Sequence, residues 1–290
     1  MSIKRDMYKK IKHPILSIIC PTFERLKGLE VLISKVDEDF LKYDLIEIIV
    51  TDDSSTNLVE NYCLNNKYLT YKRHKNSTNP IDNWNYGMKL AKGSYVQVLH
   101  HDEYPENNTT YTGIINTLNE DLYDFVIPKC CFDSKTKKCF YKFAQSLFIR
   151  KLILVFPFLL LGFNAIGSPS LFIHKNQGQV FDTKLAYLVD VEFYFRLLFL
   201  LRENNKIHFS KDAFVSDLEF NNTITNSLTK ELKEITLKEQ LYILNKYNDG
   251  LSYQSRIFIK ITFFLHRFVE NIKLIRFGLV RYVIPKKRNG

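Results

Sequence analysis

Five short apolar runs punctuate the first half of the chain, and each is followed by a segment of different period. The runs are Ile15–Cys20, Leu45–Val50, Tyr68–Arg73, Tyr95–Leu99 and Phe125–Pro128. Their length and their β-branched or aromatic content predict strands. Between the first two, Leu29, Leu32, Ile33 and Val36 fall at helical spacing within residues 25–37. A helix capped by Thr56 or Asn57 is expected to run to about Asn66. Two more are expected over Asn83–Lys92, closed by Gly93, and over Glu106–Leu118. Strands alternating with helices predict an α/β fold, a mostly parallel central sheet with helices on both faces. Such sheets bind ligands beyond the carboxyl ends of their strands.

The second half is less regular. Cys130–Phe143 reads as a hairpin, Phe148–Leu161 as an apolar helix or helix pair broken at Pro157, and Ser168–Ile173 as a strand. Val191–Arg202 reads as a helix, and two more helices are expected from about Leu228 onward. No flexible linker or internal repeat divides the chain, and its 290 residues, 46% of them apolar, suffice for a sizeable core.

Composition removes several classes. Five cysteines without a CxxC pair argue against a zinc site or a disulfide scaffold. The basic start lacks the apolar core of a signal peptide. The longest apolar run, Leu152–Leu161, has ten residues and a proline, well under the ~20 that span a bilayer. The net charge is +10, and residues 256–290 hold nine basic side chains against Glu270 alone. Between those charges the tail is apolar and aromatic. It reads either as a helix lying on an anionic membrane surface or as a helix packed on the domain. No nucleic-acid motif accompanies the charge, so no nucleic-acid partner is expected.

Three polar clusters fall at the carboxyl ends of expected strands: Pro21-Thr22-Phe23-Glu24-Arg25, Thr51-Asp52-Asp53-Ser54-Ser55 and His100-His101-Asp102-Glu103. Each alone reads equally well as a turn or a cap. Together they share one edge of one sheet. There is no GxGxxG and no GxxxxGK[ST], which disfavours dinucleotide redox chemistry and P-loop hydrolysis. A divalent cation on Asp102 would serve to neutralise a bound diphosphate.

These clusters carry a resemblance. LSIICPTFER resembles the opening strand and turn of the family 2 glycosyltransferases, and IEIIVTDDSSTN resembles their nucleotide-binding turn. NWNYGMKLAKGSYVQVLHHDE is similar to the run into their metal motif, matching at Asn85, Gly87, Ala91 and Gly93. GSPSLFIHK and VDVEFYFRL resemble their acceptor-side segments, so the likeness extends from about Leu16 to Leu197.

The resemblance implies an A-type nucleotide-sugar-binding fold and an inverting transfer from a nucleoside-diphosphate sugar. It implies a catalytic domain over residues 1–225, with a nucleotide-sugar half (about 14–128) and an acceptor half (129–225), then a basic helical extension over 226–290. It implies donor contacts at Pro21, Thr22, Glu24, Arg25, Asp52, Asp53, Asn85, His100 and Asp102. Asp102 matches the metal-contacting Asp, for Mn²⁺ or Mg²⁺, with His100 or Glu103 as further ligands. His100 stands where the family has the first Asp of its DxD. Asp190 matches the catalytic base, and Ser168, Glu192 and Arg196 fall on the acceptor side. The two membrane-seeking segments suggest an acceptor linked to a polyprenyl diphosphate, or an oligosaccharide, in O-antigen or capsule synthesis. The expected location is the inner face of the cytoplasmic membrane. Two other functions fit the same residues less well: a sugar-nucleotide or glycan-binding module without turnover, and a sugar-phosphate nucleotidyltransferase.

Overall fold

The computed structural model describes residues 13–74, 79–100, 103–132, 166–200, 206–216 and 230–247, with single positions at 152, 160, 164, 257, 260 and 261. The strands are β1 (Leu16–Thr22), β2 (Ile46–Asp52), β3 (Leu69–Arg73), β4 (Tyr95–Val98), β5 (Glu103–Pro105), β6 (Phe125–Phe132), β7 (Ile173–Lys175) and β8 (Ile207–Ser216). The helices are α1 (Lys27–Lys35), α2 (Glu38–Lys42), α3 (Leu58–Leu64), α4 (Pro80–Leu90), α5 (Thr110–Asn119), α6 (Val189–Leu200) and α7 (Lys230–Lys246). The eight strands form one sheet in the order β3-β2-β1-β4-β7-β6-β8-β5. β1 to β4 are mutually parallel, β7 runs against β4 and β6, and β5 runs against β8.

All seven residues of β1 are buried, so successive side chains feed two cores. Ile18 and Ile48 point to the side covered by α1, α2, α3 and α5. Ile19 and Ile49 point to the side covered by α4 and α6. α6 is apolar nearly all round, as suits a helix enclosed by sheet and neighbours: Val191, Phe193, Tyr194, Phe195, Leu197 and Leu198 are all buried. α7 adds Ile243 to the same core and sets Tyr247 edge-on to Phe195, at 5.1 Å between ring centroids.

Several boundaries differ from the sequence expectation. α4 starts at Pro80 rather than Asn83, because Asn79 caps it by accepting from the Ile81 N–H at 3.0 Å and proline suits the first helical position. α4 ends at Leu90, so Gly93 closes no helix. Gly93 instead lies against β1, where its N–H donates to Ser17 Oγ at 2.8 Å. Residues 169–171 form a 3₁₀ turn rather than a strand, and the strand there is β7. β6 continues to Phe132, past the expected end at Pro128, and β8 was not foreseen. The polar content of IHFSKDAFVS hides β8, whose place is fixed by parallel pairing with β6. The rest of the expected hairpin after Phe132, nearly all of the apolar 148–163 segment and most of the basic tail lie outside the described residues. Among the described residues no helix is long and apolar enough to cross a membrane.

A Cβ on Gly93 would meet the Ser17 backbone nitrogen at 2.6 Å and Leu16 at 2.9 Å. Gly93→Ala is therefore expected to destabilise the fold by about 1–3 kcal/mol, the usual cost of overpacking, as measured by urea denaturation.

Candidate active site

The carboxyl ends of β1, β2 and β3 meet in one hydrogen-bonded knot. At its centre the fully buried Asp52 carboxylate accepts from Thr22 Oγ1 (3.1 Å), the Ser54 N–H (3.0 Å), the Ser54 hydroxyl and Tyr71 OH (2.9 Å). Arg73 adds its charge at 3.6 Å. Arg73 also donates to Tyr71 OH (2.9 Å), to the Thr56 carbonyl (2.7 Å) and to Asn57 Oδ1 (3.1 Å). Asp52 therefore acts by holding the loop that follows β2.

Glu24 closes the same loop from the β1 side. It adopts a left-handed backbone, φ 53°, a conformation side-chain-bearing residues seldom take. Its carboxylate accepts from the Ser55 N–H and hydroxyl, both at 2.7 Å, and from the Thr56 N–H at 3.1 Å and the Thr56 hydroxyl. The Thr56 and Ser55 hydroxyls hold its pKa down at about 2. Asp53 sits beside this loop. Its N–H donates to the Thr22 carbonyl at 3.1 Å, and its carboxylate lies 3.5 Å from His74 Nδ1. The His74 ring in turn stacks on Tyr86 at 4.7 Å. Phe23, in the turn between Thr22 and Glu24, is 64% exposed. Its position in a polar turn just after a strand is the only sequence signal that singles it out from 23 phenylalanines.

Pro21, Thr22, His100 and Glu103 line one small cleft next to the knot. The His100 ring leans on Trp84, with centroids 4.5 Å apart, and the His100 backbone N–H donates to Ser170 Oγ at 3.2 Å. Glu103 is buried in β5, and its two oxygens accept from the Ser168 and Ser170 hydroxyls. That arrangement gives Glu103 the job of binding the 168–170 turn to the sheet. Asp102 and His101 lie outside the described residues. Among the described residues no three His, Cys, Asp or Glu side chains converge as a cation site. Arg25 is half-buried just beyond the turn.

Asp190 stands in the first turn of α6. Its Oδ1 accepts from the Val191 N–H at 2.8 Å and its Oδ2 from Asn164 Nδ2 at 3.0 Å. Asn164 is pinned in turn by Gly167, donating to its carbonyl and accepting from its N–H, both at 2.9 Å. Ser168 follows Gly167, so a continuous chain of contacts leads from Asp190 to Glu103 and the end of β4. The Asp190 carboxylate is half-buried, and burial among apolar neighbours lifts its pKa to about 7.

Three expected site residues are placed elsewhere. Asn85 is buried, and its amide forms a two-way bridge with the Phe181 backbone, donating at 2.9 Å and accepting at 2.8 Å. Glu192 is fully buried and accepts from Arg196 Nε (3.1 Å), Lys246 Nζ (2.8 Å) and Tyr247 OH. Arg196 also donates to Gln179 (2.9 Å) and to the Val180 carbonyl (2.6 Å). All three tie the segment before α6, and α7, to the core. The partners Asn164, Ser170, Tyr71 and Arg73 carry no signal in the sequence, because only folding brings them to the carboxylates they bind.

A family model described as Glycosyl transferase family 2 matches residues 17–164. The chain belongs to that family. It is 28% identical over 261 residues to an uncharacterized glycosyltransferase of Rickettsia typhi, covering 82% of this chain and 78% of the relative. A Rickettsia prowazekii glycosyltransferase is 27% identical over 268 residues, covering 85% and 80%. Among solved structures, S. aureus TarS 1–349 in complex with UDP-GlcNAc superposes with a TM-score of 0.59 at 18% identity, over 88% of this chain and 72% of that one. Glucosyl-3-phosphoglycerate synthase from Mycobacterium tuberculosis, in complex with Mn²⁺, UDP and glucosyl-3-phosphoglycerate, gives 0.51 at 13% identity, over 80% and 79%. At such identities these two likenesses speak for the fold.

In this glycosyltransferase the raised Asp190 pKa has a cost in stability. The unfolded carboxyl ionises near its ordinary ~3.9, the folded one near 7. Native stability therefore falls as pH rises between those values, because only the unfolded state releases the proton freely. Asp190→Asn removes that cost. The variant's Tm relative to wild type, followed by circular dichroism, is expected to rise from pH 4 to about pH 7 and to level off above it. A difference that stays flat with pH would contradict the raised value.

Proposed function

We propose that this glycosyltransferase moves a sugar from a nucleoside-diphosphate sugar to a hydroxyl of a glycan acceptor with inversion, and that Asp190 is the general base. The observation that carries the reading is the Asp190 carboxylate itself: half-buried and fixed by Asn164 and Val191, with burial pushing its pKa up to about 7. A sugar hydroxyl is a weak nucleophile, and a carboxylate of that basicity takes its proton as attack on the anomeric carbon proceeds. The diphosphate leaves from the opposite face. The knot around Asp52 and Glu24 supplies a rigid edge for the nucleotide, with Asp53, His74 and Phe23 around it. A requirement for Mn²⁺ or Mg²⁺ belongs to the proposal, on the strength of the Asp102 position and of the Mn²⁺ in the mycobacterial neighbour.

Two measurements test this. In a thermal-shift titration with UDP, GDP, CDP and TDP, with and without Mn²⁺ or Mg²⁺, one nucleotide should raise Tm in a metal-dependent way. No shift with any of them would favour a non-catalytic binding module. With donor and acceptor in hand, Asp190→Asn should abolish transfer while sparing nucleotide binding. The wild-type rate should fall about tenfold per pH unit below pH 7, because Asp190 must be ionised to accept a proton.

The acceptor we propose is a lipid-linked glycan, a polyprenyl-diphosphate intermediate of O-antigen or capsule type, met at the inner face of the cytoplasmic membrane. The basic, apolar 256–290 segment supports this, as does the exposure of Ile257, Lys260 and Ile261, where two isoleucines one turn apart flank a lysine. Deleting residues 256–290 is expected to reduce co-sedimentation with anionic phosphatidylglycerol vesicles, more so at low salt. Undiminished sedimentation would mean that the tail packs on the domain.

A further inference from the structure

α7 lies beyond the stretch that the family model matches, yet it reaches the residues around Asp190 from two directions. Near its middle, Glu239 is buried, 7% exposed. Its carboxylate accepts from three successive backbone N–H groups: Ala186 at 2.6 Å, Tyr187 at 3.1 and 3.2 Å, and Leu188 at 2.7 Å. Those residues are the last three before α6 begins at Val189, and Asp190 follows at once. Successive N–H groups pointing to one side form a concave nest for an anion, and negative charge is favoured at a helix start. Near the end of α7, Lys246 and Tyr247 clasp Glu192 in the first turn of α6, and Lys246 also reaches Asp182 Oδ2 at 2.7 Å. The helix that carries Asp190 is thus fixed on both sides of that residue by α7.

We propose that Glu239 is a positioning residue for the transfer reaction: its carboxylate holds the 186–188 segment, and so the start of α6, in the one register that presents Asp190. This rests on the reading of Asp190 as the base. It also gives α7 a part in the active site beyond packing. Among the described residues the groups that bear on Asp190 include Glu239 from α7, the Val191 N–H and Tyr194 on its own helix, and Asn164 beside it. Glu103 from β5 bears on Tyr194. Glu239 is the charge that α7 contributes to this set, and like charges disfavour a second ionisation nearby. Removing it relieves that repulsion and lets the 186–188 segment loosen towards water. Both changes ease ionisation of Asp190.

The test uses the full chain labelled with ¹³Cγ-aspartate, with the Asp190 resonance identified by its loss in Asp190→Asn. In Glu239→Gln the titration midpoint of Asp190 should fall by half a pH unit or more, and amide exchange at Ala186, Tyr187 and Leu188 should speed up at least tenfold. Glu239→Asp should restore much of both. An unmoved midpoint in Glu239→Gln overturns the proposal. So does fast exchange of those three amides in the wild-type protein, a measurement that needs no variant to fold. Neither readout requires turnover. If Asp190→Asn leaves transfer intact, the base reading fails on that result alone, while the titration still reports whether Glu239 governs Asp190.

Discussion

A carboxylate with no access to water must be satisfied by donors from the protein, and Asp52 imposes that demand at the end of the central strands. Thr22 answers it from β1, Ser54 from the following loop, and Tyr71 and Arg73 from β3. Three strands that would otherwise meet only through their ladders are thereby locked at their carboxyl ends. The loop after β2 is then held from its far side by Glu24. The proposed nucleotide edge is thus a surface already in place, and such preorganisation reduces the ordering that binding would otherwise require.

The second half of the chain is attached to this edge through polar contacts with little tolerance. Asn85 grips the backbone of Phe181, and Glu103 grips Ser168 and Ser170. Gln97, buried under the same turn, donates to the Ser170 carbonyl at 2.6 Å and accepts from Tyr111 OH at 3.0 Å. These contacts set the distance between the Asp52 knot and α6, and α7 fixes α6 from behind. Asp190 owes its basicity to the result: a carboxylate at a helix start, bound by an amide and an N–H, with apolar packing around it. Stability is given up at that point, because burial penalises the charged form of the carboxylate.

Much of the architecture was legible along the chain. The strands at 15–20, 45–50 and 95–99 were visible as apolar runs because central strands of a parallel sheet are buried on both faces, whereas the edge strand at 69–73 shows only alternation between half-buried and exposed positions. α6 was visible within two residues for a similar reason. β8 was not, because its polar residues break both the apolar run and the alternation, and only pairing with β6 and β5 defines it. In the sequence Gly93 fits a helix terminator, whereas its role is close approach to β1. Both roles select glycine, and a sequence does not distinguish them.

The sequence by itself determined the βα order, the edge on which the polar clusters gather, the family and the position of the acidic residue that opens α6. Those follow from local periodicity and from motif spacing, which are properties of neighbouring residues. The tertiary structure alone decided what each carboxylate does. Asp52, Glu24, Glu103, Glu192 and Glu239 are all acids at polar positions in the sequence, and each is consumed by donors distant from it along the chain. Asp190 is held by Val191 beside it and Asn164 far from it, and burial raises its proton affinity towards neutrality. Desolvation and hydrogen bonding set that difference, and both depend on which elements fold against the side chain.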